Sequence, residues 1–133
     1  MEDDIIKKVP SGKATILFLD DERMVLDVGK HMLEKLGYHV YVAESGEQAI
    51  DLYQKYQHQI DLVIIDMVLP GLTGGQIYDR LKKINPDIKT LLSSGYGIRG
   101  EATDILSRGC NGFIQKPFGI FELGDKIRTI LDE

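Results

Sequence analysis

The sequence predicts an α/β protein: a doubly wound parallel sheet of five strands with five helices. Three observations predict it. Short apolar runs alternate with stretches of helical periodicity along most of the 133-residue chain. The run Leu62-Val63-Ile64-Ile65 is mostly β-branched and shows no polar alternation, which marks a strand buried on both faces. Polar groups then follow the runs at their carboxyl ends: Asp20 and Asp21 after the first, Asp66 after the third, Ser94 after the fourth and Lys116 after the fifth.

The elements follow in order. Residues 1–13 are polar and carry no apolar period, so they read as a tail or linker, and the domain is expected over 14–133. Residues 14–19 form the first strand. A helix follows, with Val25, Val28, Met32 and Leu36 at three- to four-residue spacing and Gly37 as its stop. Residues 39–43 form the second strand. Ser45 and Gln48 have capping-box spacing and open a second helix, with Ala49, Leu52, Tyr53 and Tyr56 as its inner face. The third strand, 60–66, runs into the Pro70-Gly71 loop. Thr73 and Gln76 repeat the capping spacing and open a third helix bearing Ile77, Leu81 and Ile84, stopped by Asn85-Pro86. Residues 88–93 form the fourth strand. A fourth helix over 100–108 carries Ala102, Ile105 and Leu106. Residues 112–115 form the fifth strand, followed by Lys116-Pro117-Phe118. The last helix presents Ile120, Leu123, Ile127, Ile130 and Leu131.

Short connections and right-handed crossovers leave two layouts: a flavodoxin-like sheet of order 2-1-3-4-5, or a dinucleotide-binding fold. The second needs Gly-x-Gly-x-x-Gly after its first strand. Here Asp20-Asp21-Glu22 stands there, and its charge repels a pyrophosphate. A flavin phosphate loop fails for the same reason, and the chain is too short for an eightfold barrel.

Bulk properties remove further classes. The net charge is −5, which disfavours direct binding to nucleic acid or to an anionic membrane. Cys110 is the single cysteine, so no internal disulfide forms, and without a nearby His it is expected to be packed rather than nucleophilic. The amino terminus lacks the basic and apolar regions of a signal peptide, and no apolar run approaches the roughly 20 residues of a membrane span. A cytoplasmic location is the expectation.

In a parallel sheet all strands point one way, so Asp20, Asp21, Asp66, Ser94 and Lys116 converge on one edge. Each has a plainer reading alone: the Asp pair as a helix cap, Ser94 as a turn serine, Lys116 as a solvated lysine. Their shared edge favours a site. Three carboxylates repel one another unless a cation sits among them, and oxygen ligands without His or Cys suit Mg²⁺. A carboxylate is already a nucleophile at neutral pH, so Asp66 can attack phosphorus, with Lys116 and the Ser94 hydroxyl on the phosphoryl oxygens.

The Asp20-Asp21 pair, the run from Asp66 through Leu69-Pro70-Gly71 to Gly74, Ser94-Gly95 and Lys116-Pro117-Phe118 resemble a response-regulator receiver domain of two-component signalling over residues 14–132. The resemblance implies that Asp66 accepts phosphate from a sensor histidine kinase or a histidine phosphotransfer domain. It implies that Asp21, Asp66 and the Val68 carbonyl bind Mg²⁺ directly, Asp20 through water, and that the Lys116–Pro117 bond is cis. Ser94 is then expected to move toward the phosphoryl group, and Phe113 to turn inward. The face of the fourth helix, fifth strand and fifth helix would change its preference for an output partner. Val68 and Tyr96 occupy the two positions that tune phosphoryl lifetime in this family. Neither readily orients an attacking water, so slow self-dephosphorylation is expected.

The domain is thus expected to act as a switch rather than an enzyme. Two alternatives stand beside it: a receiver-like interaction module that is never phosphorylated, and a haloacid-dehalogenase-type phosphatase. The phosphatase would need its acceptor after the first strand and a second Asp two residues on, where this chain has Val68. The chain ends with its last helix, which suits a single-domain regulator. Its Ser11-to-Leu17 and Leu91-to-Gly97 stretches equally resemble receivers of hybrid sensor histidine kinases.

Overall fold

The computed structural model describes residues 14–97 and 100–133, so the tail expected over 1–13 lies outside the described residues. The strands are β1 (Thr15–Leu19), β2 (His39–Ala43), β3 (Leu62–Asp66), β4 (Thr90–Ser94) and β5 (Gly112–Gln115). The helices are α1 (Arg23–Lys35), α2 (Gly46–Tyr56), α3 (Gly74–Ile84), α4 (Glu101–Ser107) and α5 (Ile120–Leu131). All strand pairs are parallel, in the order β2-β1-β3-β4-β5. This is the expected flavodoxin-like order, with the chain reversing direction across the sheet between β1 and β3. None of the described helices is long and apolar enough to cross a membrane.

Strand ends shift by one or two residues from the expected bounds, each for a local reason. Asp61 is occupied at the foot of β1, where its carboxylate accepts from the Thr15 N–H at 2.8 Å and its own N–H donates to the Thr15 carbonyl. The Ile88 N–H closes a turn on the Asn85 carbonyl, so β4 starts two residues later. Pairing of Ser94 with Gln115 carries β4 one residue further than expected.

Two core layers cover the sheet. Leu17, Leu19, Val63, Ile65, Leu92 and Phe113 meet residues of α2, α3 and α4 on one face. Ile16, Phe18, Leu62, Ile64, Leu91 and Ile114 meet α1 and α5 on the other. Every residue of β3 is buried, as a strand covered on both faces requires.

The expected face of α1 needs correction. Leu26, Gly29 and Leu33 are buried, with Leu36 just beyond, whereas Val28 is 51% exposed and Val25 and Met32 are half-buried. Two apolar stripes run along this helix one position apart, and Gly29 decides between them. A Cβ at Gly29 would lie 2.2 Å from the Phe18 ring, so the glycine lets α1 settle directly on β1. In α2, Gly46, Ala49, Ile50 and Tyr53 are buried. Leu52 and Tyr56 flank that face instead, Tyr56 stacking on Tyr41 with ring centroids 4.6 Å apart.

The caps explain where the helices begin and stop. Thr73 and Gln76 form the full reciprocal box at α3. At α2 Ser45 accepts from the Gln48 N–H, but the Gln48 side chain accepts from Glu44 rather than from Ser45. Gly37 adopts φ 100° and ends α1, as expected. Cys110 is buried and packed: Thr90 Oγ1 donates to its sulfur at 3.2 Å, and burial pushes its thiol pKa up.

Candidate functional site

The carboxyl edge of the sheet gathers the groups expected there. Side chains alternate between faces along a strand. Asp20 lies two residues past Phe18, Asp66 two past Ile64, and Lys116 two past Ile114, so all three fall on the face covered by α1 and α5. Asp20 is fully buried and Asp66 is 1% exposed, whereas Asp21 is exposed. The three aspartates offer carboxylate oxygens within 4.8 Å of one another.

Lys116 ties the two buried acids together. Its Nζ donates to Asp20 Oδ2 at 3.0 Å and to Asp66 Oδ1 at 3.3 Å. Asp20 Oδ1 accepts from the Glu22 N–H at 2.9 Å, so Asp20 holds the β1–α1 turn as well as the lysine. Asp66 Oδ1 also accepts from the Val68 N–H at 3.2 Å. Asp66 Oδ2 is buried without a partner.

The electrostatics follow from this geometry. Burial, then the charge of Asp20, pushes the Asp66 pKa up to about 6. Lys116 and the Val68 N–H oppose that rise without cancelling it. Burial would lower the Lys116 pKa, but its hydrogen bond to Asp20 and the charges of Asp66 and Asp20 outweigh it, so the ammonium is held above its ordinary value. One ammonium faces two buried carboxylates and a third at the rim, leaving negative charge uncompensated. The donor set is entirely oxygen, and one buried oxygen lacks a partner. These residues therefore fit a hard divalent cation.

The remaining expected residues are placed as follows. Ser94 is buried, but its Oγ accepts from the Tyr96 N–H at 3.0 Å, within its own turn. Phe113 is 9% exposed and packed in the layer that holds Leu92. The ring expected to turn inward is thus already buried here. Val68 and Tyr96 stand at the rim, 55% and 68% exposed. The Lys116–Pro117 bond is cis, as expected.

A cleft of about 850 Å³ opens over the site. Asp21, Asp66 and Lys116 line its polar end, and Met24, Val25, Val28 and Phe118 its apolar wall. Met24 was not among the expected site residues, yet it is 78% exposed. Its signal in the sequence is that α1 carries more apolar residues than one buried stripe can use.

Comparisons with known proteins agree with this geometry. The family model for the response regulator receiver domain matches residues 16–128. The chain is 32% identical over 123 residues to the sensor kinase CckA of Brucella abortus (strain 2308), across 92% of this chain and 13% of that protein. It is 31% identical over 116 residues to sporulation initiation phosphotransferase F of Bacillus subtilis (strain 168), across 87% of this chain and 92% of that one. The crystal structure of a response regulator receiver domain protein from Clostridium thermocellum superposes with a TM-score of 0.85 at 30% identity, over 90% of this chain and 94% of that one. The chain therefore spans a small part of the kinase and nearly all of the other two. With its sheet order, its strand-end aspartates and its match over residues 16–128, the chain belongs to the response regulator receiver domain family, the phosphoacceptor module of two-component signalling.

Proposed function

We propose that Asp66 is the phosphoacceptor and that its phosphorylation requires Mg²⁺. The observation that carries this reading is the buried Asp66 carboxylate, whose Oδ2 is unpartnered beside Asp20, Asp21 and Lys116. A carboxylate oxygen of Asp66 attacks the phosphorus of a phosphohistidine. The phosphorus–nitrogen bond breaks, its electron pair leaves with the imidazole, and an aspartyl phosphate remains. The donor is a sensor histidine kinase or a histidine phosphotransfer domain, and the exposed apolar wall of Met24 and Val28 beside Asp66 gives it a surface to dock on.

Asp21, Asp66 and the Val68 carbonyl would hold the metal directly and Asp20 through water. When bound, Mg²⁺ supplies the positive charge that the site lacks. Lys116 stays charged and moves from bridging two carboxylates to binding a phosphoryl oxygen. Ser94 gives up its turn and donates to the phosphoryl group. The face of α4, β5 and α5 then changes its preference for an output partner, with Phe113 already inside. The domain spans 14–133 and acts as a switch.

The phosphatase alternative lacks support: the buried acid with the free oxygen lies on β3, and Val68 occupies the position that would need a second Asp. The unphosphorylated-module reading is the outcome of a failed test. Intact mass is measured after incubation with Mg²⁺ and phosphoramidate, a small donor with a phosphorus–nitrogen bond. Wild type is expected to gain one phosphoryl group, about 80 Da, and Asp66→Asn none. No gain in wild type overturns the acceptor reading.

A further inference from the structure

Two buried polar atoms without a partner lie on adjacent strands at this site: Asp66 Oδ2 and Ser93 Oγ. Ser93 is 0% exposed. Asp66 and Ser93 are register partners across β3 and β4. Register partners on neighbouring strands project to the same face, about 4.8 Å apart. The pair two residues earlier, Ile64 and Leu91, lies in the layer covered by α1 and α5, which fixes that face. Lys116 is on it too. Ser94 falls on the opposite face, with Leu92 and Phe113, and its Oγ is taken by the Tyr96 N–H. The hydroxyl beside the acceptor on its own face is therefore that of Ser93.

A buried hydroxyl without a partner costs stability, and an apolar β-branched residue would suit this strand position better. Its presence next to a buried carboxylate oxygen in the same condition points to a use. We propose that Ser93 is a positioning residue for the acceptor. Rotation about its χ1 bond lets the hydroxyl donate to Asp66 Oδ2. Lys116 and the Val68 N–H already hold Oδ1, so a donor on Oδ2 fixes the plane of the carboxylate as phosphorus approaches. An ionised carboxylate oxygen has two acceptor sites, so Oδ2 keeps a lone pair for metal or phosphorus. No bond to Ser93 forms or breaks. This proposal rests on Asp66 being the acceptor.

Ser93→Thr and Ser93→Val test it. Threonine and valine share a shape and differ by a hydroxyl, so any steric cost is common to both. The rate of phosphorylation by acetyl phosphate is measured against Mg²⁺ concentration, beside thermal unfolding of each variant. The maximal rate of Ser93→Val is expected to fall about tenfold below that of Ser93→Thr, as loss of one oriented hydrogen bond to a charged group would give. Half-saturating Mg²⁺ and the unfolding midpoint are expected to match between the two. Equal maximal rates overturn the proposal, as does a loss that tracks Mg²⁺ affinity or unfolding. If both larger side chains prevent folding, Ser93→Ala against wild type gives the same comparison, with the same tenfold loss expected and an equal rate overturning the idea. A wild type that takes no phosphate fails the acceptor reading and this proposal together. An active wild type with equal variants fails this one alone.

Discussion

At the residue scale, burial and the charge of Asp20 make the folded state hold the Asp66 proton more tightly than the unfolded chain does. The Asp66 pKa stands at about 6 against an ordinary 3.8. In chelator, the neutral carboxyl therefore stabilises the fold at pH 4 and below, and that contribution is lost as pH rises through about 6. Asp66→Asn removes the charge, so it is expected to stabilise the metal-free domain at pH 7–8 by on the order of 2 kcal/mol and to have little effect at pH 4. Thermal unfolding in chelator across that range checks it, and a pH-independent difference contradicts it. Lys116→Ala works the other way. It strips the one cation from two buried carboxylates, and is expected to cost roughly 3 kcal/mol in chelator at neutral pH. Saturating Mg²⁺ should recover much of that loss.

The site residues were legible in the sequence because their chemistry and their place at strand ends coincide. Asp20, Asp21, Asp66 and Lys116 come together as expected. Ser93 was not legible, because two adjacent serines end β4 and only the register shows which one shares a face with Asp66. The inward Phe113 was not legible either. A ring's rotamer depends on the space among Leu92 and its neighbours, which no local pattern encodes.

At the scale of elements, strands were easier to read than helix faces. Buried parallel strands are continuous apolar runs, so their existence needs no phase. A helix face does need one, and on α1 the phase is set by Gly29, which no apolar count includes. Gly29→Ala is expected to push α1 off β1 and destabilise by about 1–3 kcal/mol in urea unfolding, because its Cβ would meet the Phe18 ring at 2.2 Å. A neutral effect would mean that α1 does not rest on that ring. At α3 the full capping box gives a smaller expectation: Thr73→Ala costs about 1 kcal/mol by the same measurement.

At the scale of the whole molecule, the parallel sheet brings groups far apart in sequence to one edge and leaves an apolar wall beside them. Lys116 reaches Asp20 across 96 residues of chain, a contact no local signal carries and only topology supplies. The fold order was readable because the competing dinucleotide layout fails at Asp20-Asp21-Glu22. The same edge is expected to govern the lifetime of the phosphorylated state. Val68 and Tyr96 stand exposed at the rim, and neither side chain is expected to orient a water for attack on phosphorus. The isolated phosphorylated domain in Mg²⁺ is expected to persist for minutes or longer, and a half-life of seconds contradicts that reading.

The identity of the acceptor is tested most directly by borohydride reduction of the phosphorylated protein followed by peptide mass spectrometry. Reduction converts an aspartyl phosphate to homoserine and so marks the acceptor's position. Homoserine at position 66, formed only when Mg²⁺ and phosphodonor were both present, is the predicted result. Homoserine at position 20 or 21, or at none, would contradict it.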